Sequence, residues 1–362
     1  FWMIIGIMSV FIPFVGIAYY SVVGGWVVDF AATGLMGHAG QADGATAQTQ
    51  FDNMLGNPSR LLATHSLFMI GVMGVLMRGV QGGIERLSKV LMPALFILLI
   101  GLMVYAALTA DMKSAAAFLL QPDFSAVTGK TVVLAMGQAF FSLAIGVGVM
   151  ITYGAYVSED ISLTRAVAII CFVDTAVALL AGFIIFPFVF AQGLDPAGGP
   201  GLLFVTLPTA FGQMAGGSVI GAAFFVLLFF AAFTTGVGTL EPVVAWLEER
   251  RNFTRIRATL VAGCAAWIVG IAALLSFNIW NEFTPLNFVP GYGDKNIFDI
   301  MDFTIASILL PFNGLMIALF TGWIVGRSLK GKLGMPAGLE KFWLWGLRLI
   351  VPAAIILIAL WK

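Results

Sequence analysis

Nine stretches of this chain are apolar and long enough to cross a bilayer, a distance of ~30 Å that takes ~20 helical residues. They lie at roughly 1–29, 61–80, 90–109, 131–157, 163–192, 217–249, 256–276, 297–326 and 342–361. Backbone polar groups find no water in hydrocarbon, so spans of this kind must be helices. The expected fold class is therefore an all-α polytopic membrane protein. Composition agrees: charged residues make up 10% of the 362, against ~25% in soluble domains, and the mean hydropathy is +1.01. A net charge of zero offers no electrostatic footprint for nucleic acid. Cys171 and Cys264 sit inside apolar runs as packing residues, and His38 and His65 are isolated, so neither a disulfide framework nor a metal motif is predicted. No nucleophile with a base, metal set or phosphate loop appears, and an enzyme is not expected.

The first residues, FWMIIGIMSVFIPFVG, lack the basic start and small-residue cleavage site of a signal peptide. They read as the interior of a helix, with the expectation that the sequence is incomplete at its N-terminus. Lys and Arg concentrate on the side where the chain begins, at Arg78, Arg86, Arg250, Arg251 and neighbours, while Arg60, Lys113, Lys130 and Lys295 fall on the other. By the positive-inside rule the chain begins in the cytoplasm and ends outside, as a multi-pass protein of the inner cell membrane. Two outer connections carry structure of their own. Residues 31–60 are expected to form a short helix over the outer face, and 193–216, apolar patches among glycines and prolines, to dip into a vestibule as a lid.

The stretch 131–157, TVVLAMGQAFFSLAIGVGVMITYGAYV, is the one that reads badly as a continuous helix. Gln138 and Ser142 lie near its middle and Gly146 and Gly148 follow, each glycine costing a helix interior ~1 kcal/mol relative to alanine. A break near Gly146 would free carbonyls and amides as ligands for an ion or solute at the midplane; the alternative is a flexible helix using small residues for packing. Asp174 stands ~11 residues into its own span, about 17 Å deep at 1.5 Å per residue, and Ser142 reaches the same depth from the other side. Together they make an oxygen site for a hard cation, unless Asp174 is protonated and bonded to a neighbouring helix. Thr234 and Thr235 are deep as well, open either to ligation or to bonding back onto their own carbonyls. Glu241 before Pro242 needs a partner, and Tyr156 is the candidate. Gly83 and Pro93 weaken the first turns of the third span, or merely start it after a loop. Tyr20 lies too far from either end of its span to be only a belt residue.

These residues stand in motifs that resemble the neurotransmitter:sodium symporter family, in its bacterial amino-acid branch. The motifs are YYSVVGGW (19–26), GIERLSKVLMP (83–93), GQAFFSLAIGVGVMITYGAYV (137–157), DTAVALLAGFIIFP (174–187), FVTLPTAFGQM (204–214), FFAAFTTGVGTLEPVVAWLEE (229–249) and FDIMDF (298–303), in family order along the whole chain. The resemblance implies an inverted repeat of two five-helix halves forming one transporter domain, 1–130 being a partial first repeat, 131–326 a complete second, and 327–362 an additional helix. It implies that two helices precede residue 1, so that this stretch alone is not expected to transport.

Residue by residue, the resemblance implies that Tyr20 holds a substrate carboxylate, that Gly16 lines the pocket, and that Phe141 forms a lid over it. Ala144, Val147, Thr235 and Thr239 complete the substrate pocket. Ser142 and Asp174 match ligands of a first sodium site, the latter at a position where the family more often has asparagine, and Ala231, Thr234 and Thr235 match a second. Asp302 matches an outer gate; Tyr156, Glu241 and Glu249 match an inner gate, with glutamine the commoner residue at 241. Gly83 to Pro93 matches a segment that unwinds, joining Gly146 and Gly148 as points of broken helix. Two sodium ions, an amino-acid substrate and a lipid bilayer are the implied partners. A fixed carboxylate at 174 predicts chloride independence and a proton carried back on the return step. The small pocket residues predict a bulky neutral substrate, aromatic or branched. A proton-coupled amino-acid or amine carrier of the same architecture, or a non-transporting remnant, are the competing expectations.

Overall fold

Local capping chemistry decides where the helices of this chain start. Asn57 accepts a bond from the Arg60 amide ahead of Pro58, Ser162 from Arg165, Thr254 from Arg257 and Asn296 from Asp299. Thr128 and Thr131 form a reciprocal capping box. Each satisfies an amide that the first helical turn leaves bare. The computed structural model describes residues 2–38, 44–158, 161–193, 201–214, 216–326, 328–329, 333 and 336–361.

The helices are α1 (Met3–Thr33), α2 (Gly44–Leu55), α3 (Pro58–Leu76), α4 (Arg86–Thr109), α5 (Met112–Leu120), α6 (Gly129–Ser142), α7 (Val149–Tyr156), α8 (Leu163–Ala191), α9 (Leu207–Gly212), α10 (Gly217–Arg251), α11 (Arg255–Leu275), α12 (Ile297–Phe303), α13 (Leu310–Leu319), α14 (Ala337–Trp345) and α15 (Val351–Trp361). Short π-helical stretches join α12 to α13 and α14 to α15, and another, Val80–Glu85, leads into α4. Among the described residues, eight rods are long and apolar enough to cross a membrane. The ninth expected span is present as two short helices, α6 and α7, with 143–148 between them.

The boundaries shift where a π-turn continues a helix: the third span begins at Val80 rather than near 90, and the last at Gly338 rather than near 342. The segment 31–60 does hold a helix, α2. The segment 193–216, expected to dip inward, does turn its apolar patches into the protein. Residues 194–200 and 215 lie outside the described set, but Phe204 and Phe211 are 2% and 0% exposed. The apolar patches are core side chains and the segment is docked.

α1 and α10 lie side by side at the centre, with α3 and α11 closing one flank. Phe68 on α3 drives between the two central helices. A Cβ at Gly24 of α1 would lie 2.6 Å from its ring, and one at Gly236 of α10 2.9 Å, so only glycine admits the aromatic at both contacts. At one end of α1, Trp26 packs edge-on against Phe51, Phe204 and Phe277 and stacked on Phe298, which ties α2, the docked segment and α12 to one side chain. Beside it Arg60 donates two bonds of 2.7 Å to Asp29, holding the end of α1 against the start of α3. α4 and α8 pack behind α10, and α13 and α15 flank α1 and α6.

Because lipid is as apolar as the core, packing rather than water exclusion holds such helices together. Phe68→Ala is therefore expected to act as a cavity at the meeting of α1, α3 and α10, costing on the order of 3 kcal/mol. A thermal midpoint in detergent lowered by several degrees is the expected outcome, and an unchanged midpoint would contradict it.

Candidate functional site

The break between α6 and α7 is a backbone event before it is a site. Ala144 has φ 52°, Gly146 φ 89° and Gly148 φ 92°, and three left-handed residues in five cannot propagate a right-handed helix. Ala144 carries a side chain there at a steric cost of order 1 kcal/mol. Both glycines are also held at close quarters. A Cβ on Gly146 would lie 2.5 Å from the Leu310 carbonyl oxygen and 3.1 Å from the Gly314 amide, and one on Gly148 would collide with the backbone of Ser9.

A buried amide locks this arrangement. Asn313, 0% exposed, donates from Nδ2 to the Gly146 carbonyl at 2.7 Å and to Ser9 Oγ at 3.2 Å. One side chain on α13 thus binds the broken segment and α1 together. The carbonyls of Leu143, Ile145 and Val147 accept no hydrogen bond among the described residues, leaving oxygens free at the break.

Ser142, the last residue of α6, donates from Oγ to Asp174 Oδ2 of α8 at 2.5 Å. The hydroxyl gives its proton to the carboxylate, so its own lone pairs remain free for a cation. On α10, Thr234 Oγ1 donates to the Phe230 and Ala231 carbonyls and Thr235 Oγ1 to Ala231. The threonines bond back to their own helix, and the Ala231 carbonyl is engaged by both. Their oxygens keep free lone pairs; that carbonyl does not offer an unencumbered one. No described hydrogen bond joins the α10 threonines to Ser142 or Asp174, so the structure brings together one pair and a separate triplet.

α1 and α10 form the wall opposite. The Tyr20 hydroxyl meets the Thr235 side chain, Thr239 Oγ1 donates to the Thr235 carbonyl at 2.8 Å, and Gly16 faces Thr239, a Cβ there lying 3.8 Å from its methyl. Val147 packs on a small cluster of Ile12, Ile305 and Leu310, while Ala144 is half-buried. Phe141 is exposed and lines a cavity of about 320 Å³ with Gln138, Phe140 and Asp302. Asp302 itself is exposed and faces the Tyr19 hydroxyl.

At the other end of the bundle Glu241, 0% exposed, accepts from the Tyr156 hydroxyl at 2.7 Å. Its main partner is a cation that no motif in the sequence singles out. Arg255 forks onto both Glu241 oxygens, at 3.0 and 2.5 Å, reaches Glu248 at 2.8 Å and donates from Nε to the Leu76 carbonyl at 2.7 Å. The gate expectation at Glu249 is corrected: the carboxylate in the cluster is Glu248, and Glu249 is exposed. A buried bidentate pair of this kind is costly to break from one side, because the charge left behind has no water. Gly83 lies in the π-helical turn and Pro93 within the unbroken α4, so this segment is wound in the structure.

Asn313 was missed although the motif LPFNGL carries a polar residue deep in a span, which is signal enough for a candidate. Among the described residues no group of three or more His, Cys, Asp and Glu side chains is placed to hold a metal ion. The oxygens at the break are hydroxyl, carboxylate and carbonyl, which suit a hard cation.

Residues 48–356 match the model of the sodium:neurotransmitter symporter family. The chain is 35% identical over 364 residues to the sodium-dependent transporter YhdH of Bacillus subtilis, covering 99% of this chain and 79% of that protein. It is 26% identical over 222 residues to the sodium-dependent nutrient amino acid transporter 1 of Drosophila yakuba, covering 57% of this chain and 34% of the relative. A crystal structure of MhsT in complex with L-phenylalanine superposes with a TM-score of 0.88 at 38% identity, covering 99% of this chain and 81% of that one.

Asn313→Ala strands the buried Gly146 carbonyl, which is expected to cost about 1–3 kcal/mol and to loosen the break. The expected outcome is a lowered melting point together with weaker protection of that midpoint by added sodium. Full retention of both would show that the amide does not hold the segment.

Proposed function

The chain belongs to the sodium:neurotransmitter symporter family, and from that premise we propose that it carries bulky neutral amino acids, aromatic or branched, with two sodium ions by alternating access. It is a multi-pass membrane protein and a sodium-coupled transporter, not an enzyme. The observation that carries the finer reading is the Ser142 to Asp174 bond at the broken helix.

The first sodium ion sits against the lone pairs of Ser142 and the Asp174 carboxylate, with the opened carbonyls of Leu143, Ile145 and Val147 and the substrate carboxylate beside it. Ion and substrate then share a contact, so each strengthens the other's binding by the same factor. The second ion uses the Thr234 and Thr235 hydroxyl oxygens, whose protons already point to helix carbonyls; the Ala231 carbonyl joins only once those bonds relax. Tyr20 holds the substrate carboxylate, Gly16, Ala144, Val147, Thr235 and Thr239 line its side chain, and Phe141 covers it. The breadth left by glycine, alanine and valine supports a large apolar substrate, and the likeness to a protein crystallised with L-phenylalanine points the same way.

Alternating access needs two gates that are not open together. The cluster of Tyr156, Glu241, Arg255 and Glu248 closes the cytoplasmic side, to which the excess of Lys and Arg assigns it. Asp302 and Phe141 border the outer path. The segment from Gly83 to Pro93 unwinds as the inner path opens, which costs little where a π-turn already strains the ladder. The domain is organised as 1–130, 131–326 and 327–362, the first two being halves of an inverted repeat. The chain starts in the cytoplasm and ends outside the inner membrane.

Asp174 supplies a fixed negative charge beside the first ion, so chloride is not required. In uptake assays on the full-length protein, replacing sodium by choline is expected to abolish transport, while replacing chloride by gluconate leaves it within about twofold. Asp174→Asn is expected to make uptake fall at least tenfold in gluconate, and a wild-type loss in gluconate would sink the charge argument. In competition against labelled substrate, tryptophan, tyrosine or leucine should displace label at lower concentration than glycine or glutamate. The reverse order would reject the pocket reading.

A further inference from the structure

A second site lies away from the transport path, where α3 ends and α4 begins. A groove of about 240 Å³ is lined by Val75, Leu87, Val90 and Leu91 along its length and by Arg78 and Arg86 at its mouth, with Gly82 and Gly83 as floor. The two arginines are the only charged groups lining it. Both are exposed, and neither takes part in an ion pair among the described residues. Their neighbours differ: Lys89 is paired with Glu85 at 2.6 Å, Arg255 is tied into its carboxylate cluster, and Arg257 lies over the Phe253 ring.

The glycines have a local purpose here. A Cβ on Gly83 would press into the Val75 carbonyl and approach the Arg78 stem at 3.3 Å. Without side chains there, the base of Arg78 packs close to the glycines, and Arg78 and Arg86 line one groove. Below them the groove is apolar, and Val90, one turn from Arg86 on the same face, is 63% exposed. Leu91 lies about 7 Å further along the helix than Arg86, at 1.5 Å per residue. Two cations at the level of a headgroup above an apolar trough match the amphiphilic profile of a glycerophospholipid, and basic pockets between spans on the cytoplasmic side are where anionic headgroups bind.

We propose that this groove holds an anionic glycerophospholipid, its phosphate between Arg78 and Arg86 and one acyl chain along Leu87, Val90 and Leu91. The side of the membrane rests on the orientation given above; the binding does not. The occupant bridges the end of α3 and the π-turn at Val80–Glu85, and so braces the segment that has to unwind when the inner path opens.

The test uses the whole chain in mild detergent, without sodium or amino acid, so that it is independent of transport. Native mass spectrometry during titration with phosphatidylglycerol is compared with phosphatidylcholine. The wild type is expected to retain phosphatidylglycerol at least tenfold better, a preference that R78Q/R86Q abolishes, since each cation near an anionic headgroup is worth roughly a factor of five. R78K/R86K is expected to keep most of it, and K113Q/K130Q, on the opposite face, all of it. If the double exchange yields no folded protein, R78Q and R86Q singly are each expected to lose roughly three- to fivefold. The proposal is overturned if R78Q/R86Q keeps the preference, if K113Q/K130Q loses it equally, or if millimolar inorganic phosphate displaces the lipid, which would make the groove a site for the free anion.

Discussion

A chain crossing hydrocarbon must satisfy its own backbone polar groups, and the break at 143–148 is the place where this one does so from outside the helix. Ending α6 and restarting α7 leaves amides and carbonyls that no i to i+4 ladder can use. Asn313 answers part of that demand by bonding the Gly146 carbonyl, and the close approach of Gly146 to α13 and of Gly148 to Ser9 supplies the packing. The carbonyls of Leu143, Ile145 and Val147 are left without a hydrogen-bond donor among the described residues. Stability and function are therefore in direct exchange at this point: filling every backbone partner from within the protein would remove the oxygens that make the site useful.

The rest of the bundle can be understood as what makes such a break tolerable. α1 and α10, of 31 and 35 residues, are continuous and wedged by Phe68, giving a rigid wall against which the interrupted helix is held. Trp26 at one end and Arg255 at the other each gather several elements onto a single side chain. A change at the centre is then free to tilt the interrupted helix without first dissolving the ends.

Much of this was legible before any coordinates. The spans follow from hydropathy alone, and the break follows from Gly146 and Gly148 beside polar Gln138 and Ser142. The Ser142 and Asp174 pair was readable because depth along a helix is fixed by 1.5 Å per residue, so two residues counted from opposite faces land at one level. What depth counting cannot supply is azimuth. Glu248 and Glu249 are at nearly the same depth, yet a helix turns about 100° between them, and only the first faces Arg255. Arg255 itself reads as a loop cation, because the turn at Asn252, with φ 51°, reverses the chain and returns it to Glu241. Asn313 escaped for a related reason: its partners are 167 and 304 residues distant, beyond any local pattern. The docked segment at 201–214 shows itself in LLFV and TAF, apolar patches that a surface loop has no use for and whose Phe204 and Phe211 are core.

The two charge clusters differ in a way that bears on coupling. At the inner end, Glu241 and Glu248 share Arg255, so the cluster is one unit of internally opposed charge and can open only by exposing all three groups to water together. At the break, Asp174 accepts from a neutral hydroxyl and takes part in no ion pair among the described residues. With two carboxylates on one guanidinium the inner cluster keeps a net negative charge, held by the Tyr156 hydroxyl and the Arg255 fork. The two places are joined by α7, which runs from the break to Tyr156 and so to Glu241. That eight-residue helix is the shortest covalent path between the two sites, and its rigidity is what would turn occupancy at Ser142 and Asp174 into strain on the hydroxyl that caps the gate.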